Sequence, residues 1–394
     1  MLISRRGGRR SSRATSITVV AHVVSMTGGQ ERVTAELVRG LLKQGFSVTV
    51  VARRCTLAHP NLRVLRLPLP ERPAALATPL FFFVAGVVLC LKRTGIVQTS
   101  GAIVPNRVDV ATVHFCHSFF LRHVGAERAK RNTTLFRLNS WAVARFNVWA
   151  ERWCYRSTRT RLLAPVSEGL AADLKSLFPG VPTTVIRNGV DADEFCVQPA
   201  ERARMRAELS LSQELLGIFV GGDWERKGLR HAIVALQQAS RWRLMVVGAG
   251  DTERYEQLAR TCGVLERVFF VGRQSHTAAW FAAADAWVFP TTYEAFPLTV
   301  LEAASSGLPL IAPNVSGINE ILVDEVTGLE VRRTPGEIAR ALVRLQDEAF
   351  RNRLGRAART RALEFSWERQ IAEYVHAYER FLSEPAATEA GGPI

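Results

Sequence analysis

Only six of the 394 residues are cysteine, and none stands in a CxxC pair or at a zinc-ligand spacing. A disulfide framework and a structural zinc site are therefore not expected. Scattered thiols (Cys55, Cys90, Cys116, Cys154, Cys196 and Cys262) suit burial in a reducing, cytoplasmic compartment. No G-x-G-x-x-G run occurs, so the signature of dinucleotide binding is missing. Recognition-helix, RNP-like and zinc motifs are missing too, which argues against nucleic acid as a partner. No segment repeats another in residue identity. Acidic residues are scarce beside basic ones, 36 against 51, and the formal net charge is +15. Such an excess favours polyanions, whether anionic membrane, phosphorylated substrate or nucleic acid, and composition alone does not rank them.

One run carries no charge at all: AALATPLFFFVAGVVLCL, residues 74–91. Its length suffices to span a bilayer, but Pro79, Gly86 and the strand-like segments on either side favour a buried or surface-docked helix, with a segment dipping into a membrane interface as the rival. The basic start MLISRRGGRRSSRATS followed by ITVVAHVV superficially resembles a secretory leader. The apolar part is short and lacks a cleavage-like end, so residues 1–16 read as a disordered basic tail before a first strand.

Apolar strands then alternate with helical periodicity. ITVVAHVV, a glycine loop, the helical GGQERVTAELVRGLLKQG and FSVTVVAR form a βαβ unit, which implies a parallel sheet. A second alternating series begins at LLGIFVGG (215–222). The fold class expected is α/β, with two Rossmann-like, doubly wound domains facing an interdomain cleft: residues 17–187 and 188–365. A C-terminal helix, 366–383, crosses back to the first domain, and 384–394 form a tail. The second series is read with a helix over 227–239, and the chain's end with one over 348–383. In open parallel sheets ligands bind beyond the carboxyl ends of the strands, and the polar signals fall there.

Gly28-Gly29 lies between the first strand and helix, where backbone N–H groups can approach an anion; a plain tight turn is the ordinary alternative. In GGDWERKG (221–228), Arg226 and Lys227 read as cations at a helix start, a placement that opposes the macrodipole and so invites an anion. YEAFPLTVLE (293–302) places Glu294 before a helix that begins near Pro297, and Glu302 inside it. A helix start between two carboxylates suits a diphosphate with a hydroxyl-bearing sugar at each end. A paired acid and base for hydrolysis is the competing reading of the same spacing.

These pieces, with RNGVDADEF (187–195), VGR (271–273) and ADAWVFPTTYEAFPLTVLEAASSGLPLIAP (284–313), resemble the retaining glycosyltransferases of family 4, which have the GT-B fold. The resemblance implies that Glu294 holds hydroxyls of the donor sugar and Glu302 the nucleotide ribose. It implies that the backbone N–H groups of Phe296, Leu298 and Thr299 face the diphosphate, neutralised by Lys227 with Arg226. It further assigns Gly28 and Gly29 to closure on the phosphates, the backbone near Arg273 to the base, and His114 to the donor sugar. His117 competes for that last role, and a core histidine is the ordinary reading of either. Two departures stand out: Gly222 occupies the place of a common arginine, and Ala295 that of a common glycine. Asp191-Ala192-Asp193 superficially resembles a metal-binding D-x-D, but an Asn-Gly turn at the domain junction explains it more simply. No metal or cofactor is called for, because two basic side chains and a helix terminus can stabilise the leaving diphosphate. The donor implied is a nucleoside diphosphate sugar and the acceptor a hydroxyl. The positive charge and the 74–91 segment suggest an acceptor that is lipid-linked or phosphorylated, at the inner face of the plasma membrane. Arginines set among Trp141, Trp149 and Trp153 suit a membrane-facing helix, although core packing of these aromatics is the favoured reading. A sugar-nucleotide epimerase or hydrolase, or a non-catalytic binder of membrane or nucleic acid, stays open as an alternative.

Overall fold

The computed structural model describes residues 16–123 and 134–383; the basic tail of 1–16, except Ser16, and the tail of 384–394 lie outside them. Strands β1 (Ser16–Val20), β2 (Ser47–Ala52), β3 (Leu62–Arg66), β4 (Ile96–Ser100), β5 (Val108–Val113) and β6 (Thr160–Pro165) form one parallel sheet, ordered β3-β2-β1-β4-β5-β6. Strands β7 (Leu215–Val220), β8 (Trp242–Val247), β9 (Val268–Gly272), β10 (Ala286–Val288), β11 (Leu310–Ala312) and β12 (Gly328–Glu330) form a second parallel sheet, ordered β9-β8-β7-β10-β11-β12. In each sheet the winding reverses beside its first strand, between β1 and β4 and between β7 and β10. Beyond the carboxyl ends of those strands the flanking loops part, leaving a crevice.

The strands read as unbroken apolar runs because helices cover both faces of a parallel sheet. LLGIFV and VDVATV are buried at every position. The core of the second sheet is aromatic: Trp287 stacks on Phe289 at 4.7 Å between ring centroids, and Trp242 is 0% exposed.

Helix Ala74–Lys92 is long and apolar enough to cross a membrane by length and composition. In the fold it lies on the surface. Phe81, Phe82, Ala85 and Leu89 pack inward, and the Phe82 ring meets Phe146 and Trp149 of helix Thr134–Cys154 at 5.5 and 5.6 Å. Trp141 and Trp149 are exposed, 51% and 44%, which corrects the core reading for these two, while Trp153 and Phe146 pack against the core as that reading had it.

The single helix expected over 348–383 is two, Glu348–Ala362 and Trp367–Ser383. The break falls where Val190 N–H donates to Phe365 O at 3.0 Å, a main-chain tie that a continuous helix would forbid. Beyond it the last helix returns to the first sheet. Ile371 fills the space beside Gly40, the Tyr374 hydroxyl lies 2.8 Å from Thr112 Oγ1, and the Tyr378 hydroxyl donates to Gln98 Oε1. Two buried tyrosines of this helix thus belong to the core of the first half.

Candidate active site

The loop from β10 to helix Leu298–Ser305 holds the first cluster. The Glu294 side chain, 12% exposed, accepts a 2.9 Å bond from Arg226 Nη1, and Lys227 Nζ stands 3.6 Å from the same oxygen. Arg226 is tied further to Asp223 Oδ2 at 2.8 Å and to the carbonyl of Tyr293. Lys227 Nζ lies 4.6 Å from the Phe289 ring centroid. It also folds over Gly221, where a Cβ would stand 2.7 Å from the ammonium, so this glycine makes room for the lysine. Burial lowers the Lys227 pKa, opposed by the Glu294 charge.

Helix 227–239 is corrected here. Trp224–Lys227 form a single turn, and Gly228 separates it from helix Leu229–Ala235. Arg226 and Lys227 close a short turn rather than open a helix, and cations beside terminal carbonyls are favourable. Both cations still stand just before Gly228, the N-cap of helix Leu229–Ala235, so the unfavourable placement at a helix start expected from the sequence remains. Arg226 divides between Glu294 and the exposed Asp223. Among the described residues, the one carboxylate oxygen that Lys227 meets, at 3.6 Å, is the Glu294 oxygen that Arg226 already holds, so Lys227 is the cation most ready for an anion.

Helix Leu298–Ser305 has Pro297 at its cap and no side chain bonded to its first N–H groups. Thr299 Oγ1 is buried without a partner. The preceding loop is clamped from two sides. Asn188 Nδ2 donates to Phe296 O at 2.9 Å, and Gly317, at φ +75°, lies so close that a Cβ would meet Ala295 O at 2.1 Å. Phe296 itself is core, its ring against Phe365.

Glu302 is 7% exposed. Arg32 reaches it from helix Gln30–Lys43 of the first half, Nη1 to Oε1 at 3.1 Å, and binds Glu194 with Nη2 at 2.9 Å while lying over the Phe195 ring. Burial pushes the Glu302 pKa up to about 7, Arg32 pulls it down and the Glu194 charge adds to the rise. Sequence reasoning missed Arg32. An arginine three residues past Gly29 was visible, but its partner lies 270 positions away.

On the facing half, Gly28 and Gly29 are exposed, with open space around Gly29. His114 follows β5 and lines a cavity of about 200 Å³ together with His117, His22, Ser100 and Glu151. Desolvation lowers all three imidazoles to about 4, with the Arg53 charge adding to the effect at His22, so each is neutral at pH 7. Both candidate histidines therefore serve one cavity, and His22 joins them unforeseen. His117 Nε2 is 3.3 Å from Asn147 Nδ2, while Glu151 accepts the main-chain N–H groups of His117 and Ser118. The halves touch at Tyr293, whose ring meets Phe115 and Phe120 at 5.1 and 5.3 Å. Arg273 is exposed beyond β9, outside these contacts. Asp191 Oδ1 accepts the N–H groups of Asp193 and Glu194, closing its own turn.

A family model described as Glycosyltransferase Family 4 matches residues 27–194, and one described as Glycosyl transferases group 1 matches 215–348. Glycogen synthase of Mycobacterium tuberculosis is 34% identical over 230 residues, covering 55% of this chain and 53% of that one. D-inositol 3-phosphate glycosyltransferase of Streptomyces scabiei is 29% identical over 325 residues, 74% of this chain and 72% of that protein. The chain spans about half the length of the first curated relatives it matches. Among solved structures, WaaG, a glycosyltransferase involved in lipopolysaccharide biosynthesis, superposes with a TM-score of 0.78 at 20% identity, over 93% of this chain and all of the other. Anabaena HepE in complex with UDP-glucose gives 0.69 at 18% identity, over 92% and 99%. At these identities the likeness concerns the fold.

Proposed function

The chain belongs to glycosyltransferase family 4 and has the GT-B fold, and on that premise we propose that it transfers a sugar from a nucleoside diphosphate sugar to a hydroxyl, with retention and without a metal. The observation that carries this reading is the Arg226–Lys227–Glu294 cluster beside the uncapped start of helix Leu298–Ser305.

In the reaction the bond from the anomeric carbon to the diphosphate oxygen breaks, and one to the acceptor oxygen forms on the same face. The acceptor proton passes to the departing phosphate. Negative charge grows on the diphosphate, and preorganised donors aimed at it lower the barrier most. Lys227, Arg226 and the N–H groups of Leu298 and Thr299 supply them, while Gly28 and Gly29 let the first half close on the phosphates. Glu294 exchanges part of its cation pairing for sugar hydroxyls. Glu302 takes the ribose, with Arg32 yielding one bond, and main chain near Arg273 meets the base. A neutral His114 offers the sugar both a donor and an acceptor nitrogen. Contact between the halves excludes water and limits hydrolysis of the donor. No cofactor enters this scheme; the acceptor is a lipid-linked or phosphorylated hydroxyl at the cytoplasmic face of an anionic membrane.

The test is a thermal-shift screen of UDP-, GDP-, ADP- and dTDP-sugars, since a bound donor stabilises the folded chain by mass action. NMR of the product made with the stabilising donor follows. The expected product keeps the donor's anomeric configuration, and EDTA leaves turnover unchanged. An inverted product, loss of turnover in EDTA, or equally fast turnover without acceptor each overturns part of the proposal, the last in favour of a hydrolase or epimerase.

A further inference from the structure

Helix Ala74–Lys92 keeps an apolar surface on the side away from the core. Leu76, Phe83, Val87 and Leu91 are 61%, 54%, 60% and 76% exposed. Helix Thr134–Cys154 lies alongside, and its exposed positions fall at 138, 141, 145, 149 and 152, spacings of three and four that trace one stripe. Leu138, Trp141 and Trp149 alternate there with Arg145 and Arg152, and Arg156 extends the line. Arg145 lies over the Trp141 ring and Arg156 over Trp153. Neither stripe carries a carboxylate. Glu151, the one acidic residue of the second helix, faces inward. Lys92 and Arg93 close the end of the first.

We propose that these two helices form a docking surface for an anionic bilayer, lying in its interface rather than crossing it. This deepens the membrane part of the proposed function and rests on it. Spanning is excluded by the opposite side of the first helix, where Phe81, Phe82, Ala85 and Leu89 belong to the core. An exposed apolar band flanked by tryptophan and arginine is what an interfacial helix requires: the band enters the acyl boundary while the guanidinium groups stay among anionic headgroups. A second copy of this chain is a poorer occupant. Two-fold pairing through this face would set arginines against their like without any carboxylate to receive them. The surface also has a place in catalysis. Phe82 and Phe146 wall the cavity that holds His114 and His117, so docking brings that cavity beside the layer from which an amphiphilic acceptor arrives.

The experiment is co-sedimentation of the full chain, without any sugar nucleotide, on phosphatidylcholine vesicles with and without phosphatidylglycerol. Binding should need the anionic lipid, weaken as salt rises, and fall about tenfold or more in Phe83→Asp/Val87→Asp. It should fall likewise in Arg145→Gln/Arg152→Gln, and both variants should melt like the parent because the sites are exposed. No vesicle binding by the parent, or binding unchanged in the Phe83/Val87 variant, overturns the proposal. A concentration-dependent dimer abolished by that variant, with no vesicle binding, overturns it in favour of a second copy. Because no donor is present, failure of sugar transfer leaves this result untouched, and loss of docking leaves donor binding untouched.

Discussion

Replacing Glu302 by glutamine sets stability against pH in a way that only its buried placement predicts. Burial moves its carboxyl from 4.5 in the free chain to about 7 in the fold. Between those values the folded chain keeps a proton that the unfolded chain has released, so stability falls as pH rises through the window. The gap corresponds to about 3 kcal/mol, absent below 4.5 and complete above 7. Glu302→Gln preserves shape and cannot ionise, so the slope vanishes. The value of about 7 already includes the pull of Arg32, so a variant whose amide keeps a neutral bond to Arg32 should gain most of that gap at high pH. The buried histidines titrate in an overlapping range, but identically in both proteins, and they cancel in the difference. The assay is paired thermal unfolding of parent and variant in matched buffers from about pH 4.5 to about 8, with the difference plotted against pH. The difference should tilt towards the variant as pH rises, most steeply between 5 and 7. Parallel curves would refute the reasoning, because they would mean that Glu302 ionises as freely in the fold as outside it.

Lys227→Ala should lower turnover about 100- to 1,000-fold with an unchanged melt, since it removes one donor from the leaving diphosphate; a rate near the parent's would take Lys227 out of the mechanism. Gly317→Ala places a Cβ 2.1 Å from Ala295 O and 2.5 Å from Phe296 Cα at a φ of +75°. It should displace the loop that carries Glu294 and raise the donor Kd sharply, measured by calorimetry, whereas an unaltered Kd would show that the loop tolerates the shift. The imidazoles of His22, His114 and His117 are held near 4 against an ordinary 6.5. Here the unfolded chain binds more protons, so stability is complete above 6.5 and is lost as pH falls towards 4. His22→Gln/His117→Gln should flatten that acid loss in thermal scans, and an unchanged slope would mean that the histidines reach solvent.

Much of the fold was legible along the chain. Periodicity placed strands such as LLGIFV and the first helix, Gln30–Lys43, because a buried parallel strand must be continuously apolar and a helix repeats every turn. YEAFPLTVLE announced a loop carboxylate and a second one inside a helix, and both lie there. Less legible were features whose cause is a distant neighbour. The turn at Trp224 displaced the expected helix start, because Lys227 had to fold over Gly221 and reach Glu294. The helix break near Phe365 answers a main-chain bond to Val190.

Local chemistry by itself determined the order of elements, the loops that carry polar groups, and the excess of positive charge. Each of these follows from side chains within a turn or two of one another. Tertiary structure alone decided that Arg32 meets Glu302, that Gly317 props the Ala295–Phe296 loop, that His22 joins His114 and His117, and that Trp141 and Trp149 face outward. Burial and charge pairing bring together atoms tens or hundreds of positions apart. Their strength depends on how much water is excluded where they meet, a property of the packed interior that no stretch of sequence holds alone.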